Sequence, residues 1–221
     1  MPHPRASAAD KRKAFFALHA SGCFVIPNPW NVGSARTLQG LGFKALATTS
    51  AGYAHSRGLP DGAPPLDEVL AHFRELADAT KVPLNADFEN GFTDDPDGVA
   101  ANVRRCIETG VAGLSIEDSP QRSEIPLYEF DLALARVKAA RAAIDESRSG
   151  VVFTARTEGF IRGRPDIDET IRRLKAFADA GADCLYAPGI RTREHIEATV
   201  KAVSGKAVNF LNSAPLGHSV G

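Results

Sequence analysis

The sequence predicts an α/β fold, a (β/α)8 barrel, on three observations. Seven short apolar runs recur along the 221 residues at a mean spacing of about 30, near the pitch of a barrel of ~250 residues. Three junctions repeat one pattern, in which a helical segment stops at glycine and enters the next run: Leu41-Gly42-Phe43, Thr109-Gly110-Val111 and Ala180-Gly181-Ala182. Glycine ends helices in a left-handed turn, so these read as α-to-β steps of a parallel sheet. No G-x-G-x-x-G follows the first run, which leaves an open doubly wound sheet as the weaker alternative.

The runs are residues 24–27, 45–49, 82–86, 112–116, 151–155, 183–187 and 207–211. Each holds about five residues with little charge, as expected of strands buried on both faces. Asp95-Pro96 supplies an N-cap and a first-position proline for a helix over 97–109. Asp131 opens a helix over 132–145. Asp166 and Glu169 have the spacing of a capping box and open a helix over 167–180. At the same pitch an eighth strand would start at about residue 237, past the last residue. No linker or low-complexity stretch divides the chain. The expectation is one domain over residues 1–221, a barrel cut short after its seventh strand.

Composition removes several function classes. Hydrophobic residues are 43% and charged residues 24%, which excludes a disordered chain. No apolar run reaches about 18 residues, so no membrane partner is expected. The first 13 residues lack the apolar stretch of a secretory signal. A net charge of −1 without a basic stripe argues against nucleic acid as a partner. Cys23, Cys106 and Cys184 are odd in number and far apart, which fits reduced thiols in the cytoplasm better than a disulfide or zinc framework.

In a barrel, chemistry collects at the C-terminal ends of the strands. Read in order, those ends are Pro27-Asn28-Pro29-Trp30-Asn31, Thr48-Thr49-Ser50-Ala51-Gly52, Asp87-Phe88-Glu89-Asn90-Gly91, Glu117-Asp118-Ser119, Arg156-Thr157-Glu158 and Tyr186-Ala187-Pro188. The third to fifth ends carry five carboxylates and one arginine. Crowded carboxylates repel one another and require a cation or a retained proton. Asp87, Glu89 and Glu117 offer hard oxygens with no convergent His or Cys, which favours Mg2+, or Mn2+, over zinc. Arg156 is a fork for a substrate carboxylate or phosphonate, with structural ion pairing as the alternative. Backbone N–H groups of Thr49, Ser50 and Ala51 suit the other end of a small acid. The cup therefore fits a metal chelating a 2-oxo acid and stabilising its enolate. Plainer readings stand beside these. Asp118 reads equally as a cap, His55 as solvated, Trp30 as packing, and Asp61 in Gly58-Leu59-Pro60-Asp61-Gly62 as a turn residue. None of the seven runs holds a lysine, so Schiff-base chemistry is disfavoured.

Taken in order and spacing, these segments resemble the phosphoenolpyruvate mutase/isocitrate lyase superfamily over about residues 15–211. The carriers are Pro27-Asn28-Pro29-Trp30-Asn31-Val32-Gly33-Ser34-Ala35-Arg36, Thr48-Thr49-Ser50-Ala51-Gly52, Gly58-Leu59-Pro60-Asp61, Asp87-Phe88-Glu89-Asn90-Gly91-Phe92, Ile116-Glu117-Asp118 and Ala155-Arg156-Thr157. The resemblance implies a (β/α)8 barrel that uses Mg2+ to make or break C–C or P–C bonds beside a pyruvate-like enolate. It implies metal binding by Asp87, Glu89 and Glu117, with Asp61 as a further acid of the site. It places the substrate acid on Arg156 and on Thr49, Ser50 and Ala51, with Trp30 beside it. Two departures narrow this. The Lys-Lys-Cys-Gly-His motif of the isocitrate and methylisocitrate lyases is replaced by Ser119-Pro120-Gln121-Arg122-Ser123-Glu124-Ile125-Pro126. The Lys-x-Asn-Ser element and the strand-six His of the P–C enzymes are also missing. The expectation is a cytoplasmic Mg2+-dependent C–C lyase for a small carboxylic acid, with Asp61, Glu117 and Arg156 as its catalytic groups. It is expected to form a homo-oligomer, a dimer or tetramer. The alternative is a non-catalytic barrel that binds an acid or only self-associates.

Overall fold

The computed structural model describes residues 6–213. The chain runs α1 (Ala8–Leu18), α2 (Val32–Gly40), β1 (Leu46–Ala47), α3 (Ser50–Ser56), α4 (Leu66–Ala79), β2 (Leu84–Asp87), α5 (Pro96–Ile107) and β3 (Gly113–Glu117). It continues with α6 (Phe130–Ser147), β4 (Val152–Arg156), α7 (Ile167–Asp179), β5 (Cys184–Tyr186), α8 (Arg193–Ala202) and β6 (Ala207–Asn209). All pairings are parallel, and the strands lie in the order β1-β2-β3-β4-β5-β6. Each strand follows its sequence neighbour without reversal. That is barrel order, whereas a doubly wound sheet changes direction at a switch point. The six strands form the curled sheet of a barrel-type α/β fold.

Six of the seven runs are strands, and the first is not. Residues 24–27 lie beside β1, where Ala47 N donates to Pro27 O at 3.1 Å. The next rung of a parallel ladder would need the N–H of residue 29, which is proline and has none. The side chain of Asn28 substitutes, its Nδ2 donating to Ala47 O at 3.0 Å. Two further corrections concern caps. The helix expected over 132–145 begins two residues earlier, at Phe130, with Glu129 at the cap position and no side-chain cap bond. Asp166 does accept from Glu169 N at 3.0 Å, but the Glu169 carboxylate turns to Arg172 and Arg173 instead of closing a capping box. The glycine junctions hold: Gly42, Gly110 and Gly181 have φ of 93°, 88° and 99°.

Strand register sorts the side chains into two faces. Glu117, Arg156 and Tyr186 share one rung, and Ser115, Thr154 and Cys184 the rung below. With a side-chain period of two, these polar groups share a face and Leu114, Ile116, Phe153, Ala155 and Leu185 take the other. The apolar face meets the buried sides of the helices, as with Val69, Phe73 and Leu76 of α4. Burying each such side chain contributes roughly 1.5–3 kcal/mol. A second, smaller cluster of Phe15, Ala45, Ala112 and Val152 lies at the N-terminal ends of the strands. There α1 grips two helix ends. Lys11 Nζ donates to Ala77 O and Thr80 O at 2.6 and 2.7 Å, and Arg12 donates to Val111 O and Ile107 O at 2.9 and 2.7 Å. Among the described residues no helix is long and apolar enough to cross a membrane.

Candidate active site

The C-terminal ends of β2, β3 and β4 bring Asp87, Glu117 and Arg156 together. Arg156 Nη1 lies 3.4 Å from Asp87 Oδ1 and 3.2 Å from Glu117 Oε1. Its Nε and Nη2 are taken by Glu158, and its guanidinium lies 5.0 Å from the Tyr186 ring centroid. Burial opposes its charge, but Glu117, Glu158 and Asp87 outweigh burial and hold it firmly protonated. The carboxylates of the cup thus share one guanidinium at contact distance, where unlike charges attract most strongly.

Asp87 is fixed on both sides. Its N–H donates to Thr48 Oγ1 at 2.8 Å, and its Oδ2 accepts from Ser50 N at 2.9 Å. Ser50 N therefore already faces a carboxylate of the site. Thr49 caps α3, its hydroxyl accepting from Gly52 N at 3.2 Å, and Ala51 follows in the first turn. Trp30 is 48% exposed and lies against Gly52, where any Cβ would fall 2.5 Å from the indole. The sequence-predicted binding segment is thus assembled as one wall.

Glu89 has φ 49°, a left-handed conformation that a glutamate rarely adopts. Arg136, 1% exposed, holds the backbone that follows by donating to the carbonyls of Asn90, Thr93 and Asp94. Burial, then Asp87 and Asp61, push the Glu89 carboxyl up to about 8. Burial raises Glu117 well above the carboxylate range, with Arg156 opposing. Asp61 sits on the exposed loop after α3, near enough to Glu89 to act on its charge. These are hard, mutually repelling oxygen donors, with Glu89 and Glu117 buried, which fits a divalent cation of the Mg2+ or Mn2+ type in chemistry. In the present arrangement no three His, Cys, Asp or Glu groups among the described residues are grouped to hold an ion, and Arg156 stands between the carboxylates.

Other sequence readings resolve. Asp118 is no helix cap: it is 2% exposed and accepts from Thr157 Oγ1 at 2.6 Å, Glu158 N at 2.8 Å and Arg173 Nη1 at 3.1 Å. His55 is exposed, as expected. Sequence reasoning gave no individual role to three residues near the cup. Glu158 is fully buried on Arg156, Gln121 reaches Glu117 Oε2 at 3.5 Å and bonds Glu89, and Tyr186 closes the rung beside Arg156. Glu158 had a signal, its place two residues after Arg156; Gln121 had none.

Comparison with known proteins identifies the family and the fold. The phosphoenolpyruvate phosphomutase family model matches residues 15–220. A protein of Burkholderia cenocepacia J2315, provisionally named a lyase/mutase, superposes with a TM-score of 0.91 at 46% identity, covering 94% of this chain and 76% of that one. A phosphonopyruvate hydrolase in complex with oxalate and Mg2+ superposes with a TM-score of 0.81 at 26% identity, covering 91% and 71%. An uncharacterized protein of Mycobacterium tuberculosis is 34% identical over 79% of this chain and 65% of its own, and the 2-methylisocitrate lyase of Escherichia coli 32% over 72% and 55%. The chain spans about three fifths of the length of these curated relatives. On the family match, the shared fold and the identity to these proteins, the chain belongs to the phosphoenolpyruvate mutase/isocitrate lyase superfamily.

Proposed function

We propose that this protein is a cytoplasmic Mg2+-dependent lyase that cleaves a C–C bond of a small 2-oxo or 2-hydroxy acid. The observation that carries this reading is the convergence of Asp87, Glu117 and Arg156 at adjacent strand ends, with Glu89 buried beside them. Asp87, with Glu89 and Glu117 directly or through water, would hold a Mg2+ ion, which would supply positive charge to stabilise a developing enolate. Asp61 orders water at the mouth of that site. Arg156 holds the substrate carboxylate. Its Nε and Nη2 are committed to Glu158, so the acid meets Nη1, the nitrogen that faces Asp87 and Glu117. Thr49, Ser50 and Ala51 take the other end, and Trp30 packs over it. Glu117 and Glu158 are buried and Arg156 is largely covered, which strengthens every charge–charge contact made there. In an oxaloacetate-type substrate the C3–C4 bond would break with loss of CO2, leaving its electron pair on C3 as an enolate that then takes a proton. In a malate-type substrate the C2 hydroxyl would lose its proton as the C2–C3 bond breaks, giving a 2-oxo acid and an enolate of the other fragment that is protonated at C3.

The departures at Ser119 to Pro126 turn the reading away from methylisocitrate cleavage, which relies on a cysteine acid in that stretch. They favour a substrate of the oxaloacetate or substituted malate type. Buried, free Cys106 and Cys184 suit a reducing compartment. Self-association into a dimer or tetramer belongs to the same proposal.

The test is calorimetric titration of oxalate, which mimics the pyruvate enolate, with Mg2+ and then with EDTA. Binding that requires Mg2+, and pyruvate release from a panel of 2-oxo and 2-hydroxy di-acids, is the expected outcome. Asp87→Ala should abolish both. Binding without turnover would leave a non-catalytic acid-binding protein, and no binding at all would remove the site.

A further inference from the structure

α4 carries a histidine that the proposed chemistry does not use. His72 is 5% exposed, and its Nε2 is buried without a hydrogen-bond partner. Its ring lies nearly parallel to that of Tyr53, with centroids 3.9 Å apart and planes at 17°. Tyr53 is held in turn, its hydroxyl donating to Glu68 at 3.0 Å. The imidazole is clamped and cannot swing Nε2 into solvent without losing the stack. Burial lowers its pKa to about 4, so the ring is neutral at neutral pH. In a neutral ring Nε2 is either an N–H donor or a bare acceptor, and leaving it unpaired costs roughly 1–3 kcal/mol.

A small cavity of about 10 Å³ lies against this ring. Its wall runs from His72 past Thr48 and Ser50 to Asp87 and Glu89, so it opens onto the back of the acid cup. That volume is close to the least that holds one water, which also needs two to four polar partners. Thr48 Oγ1 accepts from Asp87 N and has a proton to give; the Ser50 hydroxyl and the carboxylates supply further partners. No cation lines the cavity, so an anion does not fit there. A single neutral molecule with both donor and acceptor capacity does.

We propose that one internal water occupies this cavity, bonded to His72 Nε2 and to the Thr48–Asp87 edge of the cup, and that His72 is a positioning residue that steadies Asp87 through it. The positioning role rests on the cup being the acid-binding site. The water does not depend on that reading.

Three measurements test this on the full chain. A crystal structure at high resolution should show an ordered water within hydrogen-bond distance of His72 Nε2, and a water-to-ring NOE should appear at His72 in solution. Both should vanish in His72→Phe. In oxalate titrations with Mg2+, His72→Gln, whose amide can hold the same water, should stay near wild type. His72→Phe should weaken binding about tenfold while its melting temperature is retained, as for outer-shell partners of a metal site. An Nε2 with neither water density nor NOE overturns the water. Equal affinities of the two variants and wild type overturn the positioning role. Should wild type itself fail to bind oxalate, the lyase reading falls, and density and NOE still decide the cavity.

Discussion

Glu158 lies along one edge of the Arg156 guanidinium, engaging Nε and Nη2, while Nη1 faces Asp87 and Glu117. A planar fork gripped on one edge has a fixed direction on the others. Glu158 is itself fixed, its backbone N–H donating to Asp118 at 2.8 Å. The cup's cation is therefore aimed by a buried chain of acids. Glu158→Gln keeps the volume and loses one acceptor and the charge. Charged hydrogen bonds contribute about 1.5–3 kcal/mol, so oxalate affinity in the presence of Mg2+ should fall at least about tenfold. Calorimetry measures it, and an unchanged Kd would reduce Glu158 to a packing role.

The buried Glu89 carboxyl gives the metal-free protein a pH dependence of definite sign. Folded, it keeps its proton up to about 8, against an ordinary value of 4.5. The native state then binds more protons than the unfolded one across that window. Stability is fully present below about pH 4.5 and is lost as pH rises towards 8. The urea midpoint in EDTA should drop between pH 5 and 8, and Glu89→Gln should flatten that drop. An equal slope in the variant would assign the titration elsewhere.

Gly52→Ala should move Trp30. The new Cβ would fall 2.5 Å from the indole and 2.6 Å from Thr49 Cγ2, both too close to keep. Trp30 is the sole tryptophan, so its emission reports this directly. The expected result is a shifted emission maximum with little change in far-ultraviolet circular dichroism. An unmoved spectrum would place the indole away from Gly52.

Lys11→Met removes the charge that closes the C-terminal end of α4. Two charged hydrogen bonds are lost and two carbonyls are exposed, at a cost of about 2–3 kcal/mol. Chemical denaturation should show the loss, while oxalate binding stays unchanged because Lys11 lies at the far end of the strands from the cup. A neutral substitution would mean that water replaces the ammonium.

The barrel order was legible because its signals are local and repeated. Gly110 and Gly181 must adopt positive φ whatever lies around them, so the helix-to-strand step shows in one residue. The acids at the strand ends were legible for a similar reason, since each follows an apolar run. Residues 24–27 misled because an apolar run says nothing about a missing donor two positions on, at Pro29. Asp118 misled because a cap and a buried anchor look alike until Arg173, 55 residues away, is brought to it. Gln121 and Arg136 act across loops, through partners that only the folded chain supplies.

The grip of α1 also sets an order in time. Lys11 bonds residues 66 and 69 positions further on, and Arg12 residues 95 and 99 positions further on. Contacts so distant along the chain form late, because the loop between must first be closed. α1 is made before α4 and α5 and is secured only after them, waiting until Val111 has emerged and α5 has folded. Until then Phe15 has no cluster to enter, and α1 spends that stage of synthesis as a tether with its aromatic ring unclaimed.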